Sequence, residues 1–469
     1  MATNAKKATD YSMTDGVIWK KLLFFFFPIL LSTLFQQLYN TVDAMVVGRY
    51  CGKEALAAVG GATGALISLI VGFFVGLASG ATVIISQFYG AHNDDGVGRT
   101  VHTAMAMALT GGALLMAVGY FLTPAMLRMM DTPADVMEHA AAYMRIYFLG
   151  MIPSLIYNVG ASILRAIGDS KRPLYFLIAA CLVNIALDLL MVIGLNMGVA
   201  GAALATILSQ LISAVLVIVV LSRSQESYRL RVRQIRFHGD LLAQIIRIGL
   251  PAGLQSVLYS VSNIIIQKSV NSFGTDVMAA WTAWGKLDAV LWTIINSFGI
   301  TITTFVGQNF GAGKYDRMRK SVRICFLMCA GGTLVLSTGL MLSGDTLFRL
   351  FNNEESVLAQ CRVILQYLGP CFVLYVPIEI YSGAVRGAGD SLIPTLMTLG
   401  GICVLRAIWV LLIAPAHNSV IFMLLSYPIT WVITSALFII YYYRGNWLRR
   451  CRLRAGLNSP EVCEELWAI

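Results

Sequence analysis

Residues 174–193 read LYFLIAACLVNIALDLLMVI. Apart from Asn184 and Asp188 the run is apolar or aromatic, and about 20 such residues are what a helix needs to cross a bilayer. The two polar residues stand four apart, so on a helix they share one face. An aspartate near the centre of a span costs about 2.5–3.5 kcal/mol on insertion scales. A second acid, Asp43, lies at comparable depth in another apolar run. Acids held at that depth are read as handling an ion or a proton, in preference to a hydrogen bond that only glues two helices.

The rest of the chain has the same character. Of its 469 residues 58% are hydrophobic and 12% charged, which excludes a soluble domain and marks a polytopic membrane protein. The formal charge of +10 does not indicate nucleic acid, because the basic residues fall in short segments between apolar runs. The nine cysteines include no C-x-x-C pair and sit mostly in apolar runs, so they read as small apolar fillers. Cys325 and Cys329 are helix neighbours, but two thiols without further ligands make no metal site. No G-x-x-x-x-G-K-[ST] loop occurs, and His92, His102, His139, His238 and His417 are scattered. No enzyme and no bound cofactor is expected. Lys6, Lys7, Lys20 and Lys21 precede the apolar stretch Leu22–Leu34 as in a signal peptide, yet no small-residue cleavage site follows, so this stretch is taken as the first span.

Twelve spans are expected, at about 17–46, 55–88, 98–121, 137–164, 173–194, 199–222, 241–270, 276–309, 318–342, 356–385, 392–413 and 418–443. Pro28, Pro153, Pro251 and Pro377 lie in or near the starts of spans, where they bend or break helices. With both termini inside, the inner segments collect Arg165, Lys171 and Arg172, then the run from Arg223 to Arg247, then Lys314 to Arg323 and the tail from Arg444. The outer segments offer Arg49, Lys53, Arg128, Lys268 and Arg349. That asymmetry predicts a multi-pass protein of the plasma membrane with cytoplasmic ends.

The chain also repeats itself. Gln87-Phe88-Tyr89-Gly90-Ala91 returns as Gln308-Asn309-Phe310-Gly311-Ala312, and Arg165-Ala166-Ile167-Gly168-Asp169-Ser170 as Arg386-Gly387-Ala388-Gly389-Asp390-Ser391, each displaced by 221. Pro173 matches Pro394, and Pro28 matches Pro251. The expectation is an all-α protein with 12 transmembrane helices in two six-helix lobes, related by a pseudo-twofold axis along the membrane normal. The N-lobe covers 1–222, a cytoplasmic linker 223–240, the C-lobe 241–443 and a basic tail 444–469.

At these motifs the chain resembles the multidrug and toxic compound extrusion (MATE) family: Pro28 with Asp43 and Gly48, Gln87…Gly90-Ala91, and Arg165…Gly168-Asp169…Pro173, the last two duplicated. Within the family it looks most like the DinF-like prokaryotic branch. That likeness implies an N-lobe cation site to which Asp43, Asn184, Asp188 and Thr206 correspond, with Pro28 as a hinge in the first helix. Tyr39 and Asn40 stand four and three residues before Asp43 and are taken as neighbours of the site. Two carboxylates, an amide and a hydroxyl form an oxygen set suited to Na⁺, and the same acids can instead take H⁺. Beyond Na⁺ at that site no metal is expected. Arg165, Asp169, Arg386 and Asp390 have a plainer reading as helix ends and turns, with glycine terminating one helix and Asp-Ser capping the next.

The second half lacks counterparts of Asp43 and of the Asn184/Asp188 pair, and Arg406 stands near the latter place. Its polar candidates are Lys268, Lys286, Asp288, Glu379 and Arg406. Trp281, Trp284, Asp288 and Trp292 recur at spacings of three and four, an aromatic stripe around one acid. It suits a bulky organic cation, or alternatively packs and anchors the helix. Ser256, Ser260, Asn263 and Gln267 form a polar stripe on the seventh span. Trp284, Asp288, Trp292, Tyr259, Asn263 and Glu379 are the expected substrate-cavity residues. The resemblance implies a monomeric secondary antiporter that exports amphipathic, often cationic small molecules from the bilayer in exchange for H⁺ or Na⁺. The alternative, a flippase for lipid-linked precursors, draws on Lys268, Lys286 and Arg406.

Overall fold

The structure, a computed structural model, describes residues 12–417 and 419–454. Lys6, Lys7, Cys463, Asn418 and the tail beyond Arg454 lie outside them. Long apolar runs become helices because a backbone surrounded by lipid must satisfy its own N–H and C=O groups. The helices are α1 (Ile18–Tyr50), α2 (Lys53–Gly60), α3 (Ala62–Gly90), α4 (Asp94–Met129), α5 (Ala134–Leu149), α6 (Met151–Ala166), α7 (Lys171–Asp188), α8 (Gly198–Arg223) and α9 (Gly239–Asn271). They continue as α10 (Thr275–Gly311), α11 (Tyr315–Arg349), α12 (Glu355–Leu368), α13 (Val376–Gly387), α14 (Leu392–Thr398), α15 (Leu405–Ile408), α16 (Ala414–His417), α17 (Val420–Arg444) and α18 (Trp447–Arg454). Among the described residues, 11 helical stretches are long and apolar enough to cross a membrane, and α5 with α6 supply a twelfth.

That twelfth span departs from expectation. It is not one helix over 137–164 but two, bent by 52° across Gly150. Pro153 carries no N–H to offer the Leu149 carbonyl four residues back, so the ladder breaks there. A side-chain carbon on Gly150 would stand 2.6 Å from Cγ1 of Ile207 on α8, so glycine also lets that helix pass close. In the second half a 3₁₀ turn, Gly369–Tyr375, interrupts the corresponding span between α12 and α13.

The helices gather into two compact units, one running to Val257 and taking in Gly311–Gly313, the other made of Leu258–Phe310 and the chain from Lys314. The division falls inside α9. In the first unit Val83, Ile85, Val101, Met105, Ile163, Leu164, Val217 and Leu221 fill a core between α3, α4, α6 and α8. The stretch after α8 joins this core through Tyr228 and Leu230. It is strapped to α4 by hydrogen bonds: the Arg231 N–H donates to Nε2 of His102 (3.1 Å), and the His238 N–H to Oγ1 of Thr103 (3.3 Å). In the second unit the large buried side chains are mostly aromatic, Trp284, Trp431, Phe305, Phe372 and Phe438 among them.

Among the described residues, three stretches wind as π-helix. Leu189–Gly194 follows Asp188 directly, while Leu399–Val404 and Trp409–Ile413 bracket α15, which carries Arg406. Such widened turns are uncommon and gather at functional sites.

Candidate functional site

In the first unit α7 packs against both α1 and α8. This brings Asp43 of α1, Asn184 and Asp188 of α7 and Thr206 of α8 toward one place. Asp43 is 6% exposed, Thr206 3%, and Asn184 and Asp188 are fully buried. Asp188 lies within electrostatic reach of Asp43. Small residues allow the approach, since Ala202, Ala203 and Ala205 of α8 are completely covered. The surroundings are otherwise apolar: Val46, Val47, Val192 and Val199 cluster there.

Within this apolar setting five polar atoms find no hydrogen-bond partner among the described residues. They are Oδ1 of Asp43, both side-chain atoms of Asn184, and both carboxylate oxygens of Asp188. A buried polar group left unpaired costs about 1–3 kcal/mol, and more when charged. Thr206 spends its own proton on the Ala202 carbonyl (3.0 Å), so toward its neighbours it presents only oxygen lone pairs. The acid pair and the Asn184 amide oxygen, short of donors, stand with the Thr206 hydroxyl as a set of acceptor oxygens, the chemistry that suits a cation.

Tyr39 belongs to this group, within hydrogen-bonding reach of Thr206 and electrostatic reach of both acids. Asn40 does not: it is exposed. Residues three and four before Asp43 lie about 60° and 40° to opposite sides of it, and only the Tyr39 side faces α8. Tyr143 and Tyr147 of α5, stacked with ring centres 6.1 Å apart, complete the wall, and Tyr143 feels both acids. The sequence reading missed them, although their spacing of four on an apolar helix marks a shared face. Pro28 sits inside α1, which runs helically through it, and the Ser32 hydroxyl donates to the Pro28 carbonyl at 2.7 Å.

The second unit holds a cavity of about 510 Å³. Of the residues expected to line it, Tyr259, Asn263, Trp284, Asp288 and Trp292 do so, joined by Trp281, Gln267 and Arg406. Tyr375, Tyr427 and Trp431 were not foreseen, because they come from other helices and carry no spacing signal with α10. Trp292 donates its indole N–H to Oδ2 of Asp288 (3.2 Å) and packs edge-on against Tyr375 and Trp431. The Tyr259 and Tyr375 hydroxyls meet at 3.1 Å.

Glu379 is not part of the wall. Its carboxylate packs against Gly299 of α10, in space that any side chain there would fill. Lys268 and Lys286 are exposed and also line no part of the cavity, so the cationic lining that a flippase reading draws on reduces to Arg406.

The repeated loops are built as caps. Gly168 (φ 97°) closes α6, and Oδ1 of Asp169 accepts the Lys171 and Arg172 N–H groups at 3.1 Å each, capping α7. Burial pushes the Asp169 carboxyl up, and the capping N–H groups with the Arg172 charge pull against it. Its counterpart Asp390 is bound differently, by Tyr441 (3.0 Å) and Arg450 (3.1 Å).

A family model described as MatE matches residues 28–190 and 251–412, one match in each half of the internal repeat. The chain is 28% identical over 408 residues to "Probable multidrug resistance protein YoeA" of Bacillus subtilis (strain 168), covering 85% of this chain and 88% of that protein. To "Probable multidrug resistance protein NorM" of Thermotoga maritima it is 22% identical over 448 residues, 93% of this chain and 94% of that one. Among solved structures, an outward-facing multidrug resistance MATE family transporter of the MOP superfamily has a TM-score of 0.86 at 20% identity, covering 94% of this chain and 98% of that chain. MATE in the bent conformation has the same TM-score at 21% identity, covering 93% and 98%. At such identities the solved structures speak for the fold.

Proposed function

The chain belongs to the MatE family of multidrug efflux transporters, polytopic proteins of the membrane, and on that premise we propose that it is a secondary antiporter. It exports amphipathic, mostly cationic compounds in exchange for H⁺, with Na⁺ able to share the site. The observation that supports this reading is the set of five unpartnered polar atoms on Asp43, Asn184 and Asp188. Two carboxylates kept from water and close enough to repel each other favour uptake of a positive charge. An inward cation draws on about 2.3 kcal/mol per charge for each 100 mV of membrane potential, which is the work available for extrusion.

Uptake links to the export path through α1. Asp43 sits 15 residues beyond Pro28, and the proline leaves the Phe24 carbonyl without its ladder donor, a place where the helix changes bend at low cost. Binding at Asp43 and Asp188 reorients the segment beyond Pro28 and narrows the first unit, and inward release of the cation restores it. Both termini are cytoplasmic in this scheme, as the basic segments require.

The test is dye efflux from proteoliposomes with pH and Na⁺ gradients imposed separately. Asp43→Asn and Asp188→Asn are expected to abolish gradient-driven efflux while the protein still inserts and folds. Gradient-dependent efflux retained in both variants would remove the site assignment.

A further inference from the structure

The cavity of the second unit carries an acid and a base in one lining. Asp288 is there, its Oδ2 held by the Trp292 indole, with the rings of Trp281, Trp284 and Trp292. Arg406, 5% exposed, joins them from the short helix α15 between two π-helical stretches. Its guanidinium lies over the Tyr427 ring at 4.0 Å, and Nη2 donates to Oγ1 of Thr430 at 3.1 Å. Neither partner is an anion. The Nε–H of Arg406 has no acceptor among the described residues, and neither has the indole N–H of Trp431, which is 1% exposed. Both residues line the same cavity.

A guanidinium nine-tenths buried without a counter-anion is an unusual arrangement, because buried charges are normally paired. Asp288 shares the cavity yet forms no ion pair with Arg406, so each charge is left for something else. Arginine offers a planar fork matched to a carboxylate, and the Trp431 N–H adds a further donor on that wall. Tyr375, Tyr427 and the tryptophans supply flat apolar faces in the same lining.

We propose that this cavity selects zwitterionic, planar amphiphiles. Their carboxylate is taken by Arg406 and Trp431, their cationic nitrogen by Asp288 with the tryptophan faces, and their ring system lies between. This deepens the efflux reading given above and rests on it.

Rhodamine 110 and rhodamine 123 test it, being one dye core as the free carboxylate and as its methyl ester. Export of each from proteoliposomes is measured under the same imposed gradient, together with quenching of tryptophan fluorescence on binding. In the wild type both dyes are exported. In Arg406→Gln the acid-to-ester ratio of export rates falls about tenfold, the loss expected for one charge-assisted hydrogen-bond pair. Arg406→Lys restores part of the ratio, since it returns the charge without the fork. Trp431→Phe, which keeps an aromatic face but removes the N–H together with the five-membered ring, lowers the ratio without Arg406 being touched.

A ratio unchanged in Arg406→Gln and Trp431→Phe would overturn the proposal, leaving these residues as packing. Export of the ester but not the acid by the wild type would overturn it too, with the efflux reading intact. Export of neither dye under any gradient would sink the efflux reading, and this proposal with it.

Discussion

Asn184 distinguishes a cation site from a structural one. Its amide is fully buried with neither atom partnered, so the folded protein gains nothing from its polarity. Asn184→Leu, which keeps the branched shape and the number of side-chain heavy atoms, is therefore expected to raise stability by about 1–3 kcal/mol in the absence of a coupling cation. The same change weakens the response of thermal unfolding to added Na⁺, while the pH response, which rests on Asp43 and Asp188, remains. Melting in detergent across a Na⁺ and a pH series checks both halves, and a destabilised variant would mean that the amide is satisfied after all. Asp169 is the contrasting case, an acid whose Oδ1 caps α7 and whose Oδ2 lies 3.2 Å from Nε of Arg172. Asp169→Ala should cost about 0.5–2 kcal/mol in thermal unfolding. Its export rate per folded molecule should stay at the wild-type level, and loss of efflux without loss of stability would contradict the capping role.

The strap after α8 carries its own pH dependence. Oγ1 of Thr103 donates to the Arg99 carbonyl (2.8 Å), so Nδ1 of His238 must donate to Thr103 (2.9 Å), and Nε2 accepts from Nε of Arg236 (3.2 Å). Both ring nitrogens are thus committed in the neutral form. Burial, then Arg236 and Arg99, hold His238 below its ordinary range, with His102 acting the same way and Asp240 opposing. The docked strap binds fewer protons than the released one. Its docking is full above the ordinary histidine value near 6.5 and weakens as pH falls through the lowered value. Limited proteolysis within 224–238 should accelerate as pH drops from about 7.5 to about 5.5, and His238→Gln should flatten that dependence. Equal cleavage rates across the range would exclude it. The bend at Gly150 follows the same rule of local causes, a proline removing one ladder bond and a glycine making room for Ile207.

Across the whole molecule, the two halves are alike in helix order and unlike in chemistry. Acids without partners stand in the first unit, and an aromatic cavity with one acid and one arginine stands in the second. Asp43 is not among the residues lining that cavity, and changes at independent sites add. Asp43→Asn should therefore abolish coupled export while dye binding, read by quenching of Trp281, Trp284, Trp292 and Trp431, keeps its wild-type affinity. A change in affinity of more than about threefold, or about 0.65 kcal/mol, would show that the two sites are coupled at rest.

Membrane class, the number of spans and the place of Asp43, Asn184 and Asp188 inside apolar runs are all carried by chain neighbours, and the internal repeat by comparing the chain with itself. Apolar run length and a spacing of four are local quantities, so they could be read without coordinates. Other features depend on which faces of distant helices meet. Asn40 turns away while Tyr39 turns in, Glu379 fills the space beside Gly299, and Tyr143 and Tyr147 close the acid site from α5. Above all, whether a buried polar atom has a partner is settled by residues far apart in the chain. Only the packed helices could leave Asp188 and the Nε of Arg406 without one.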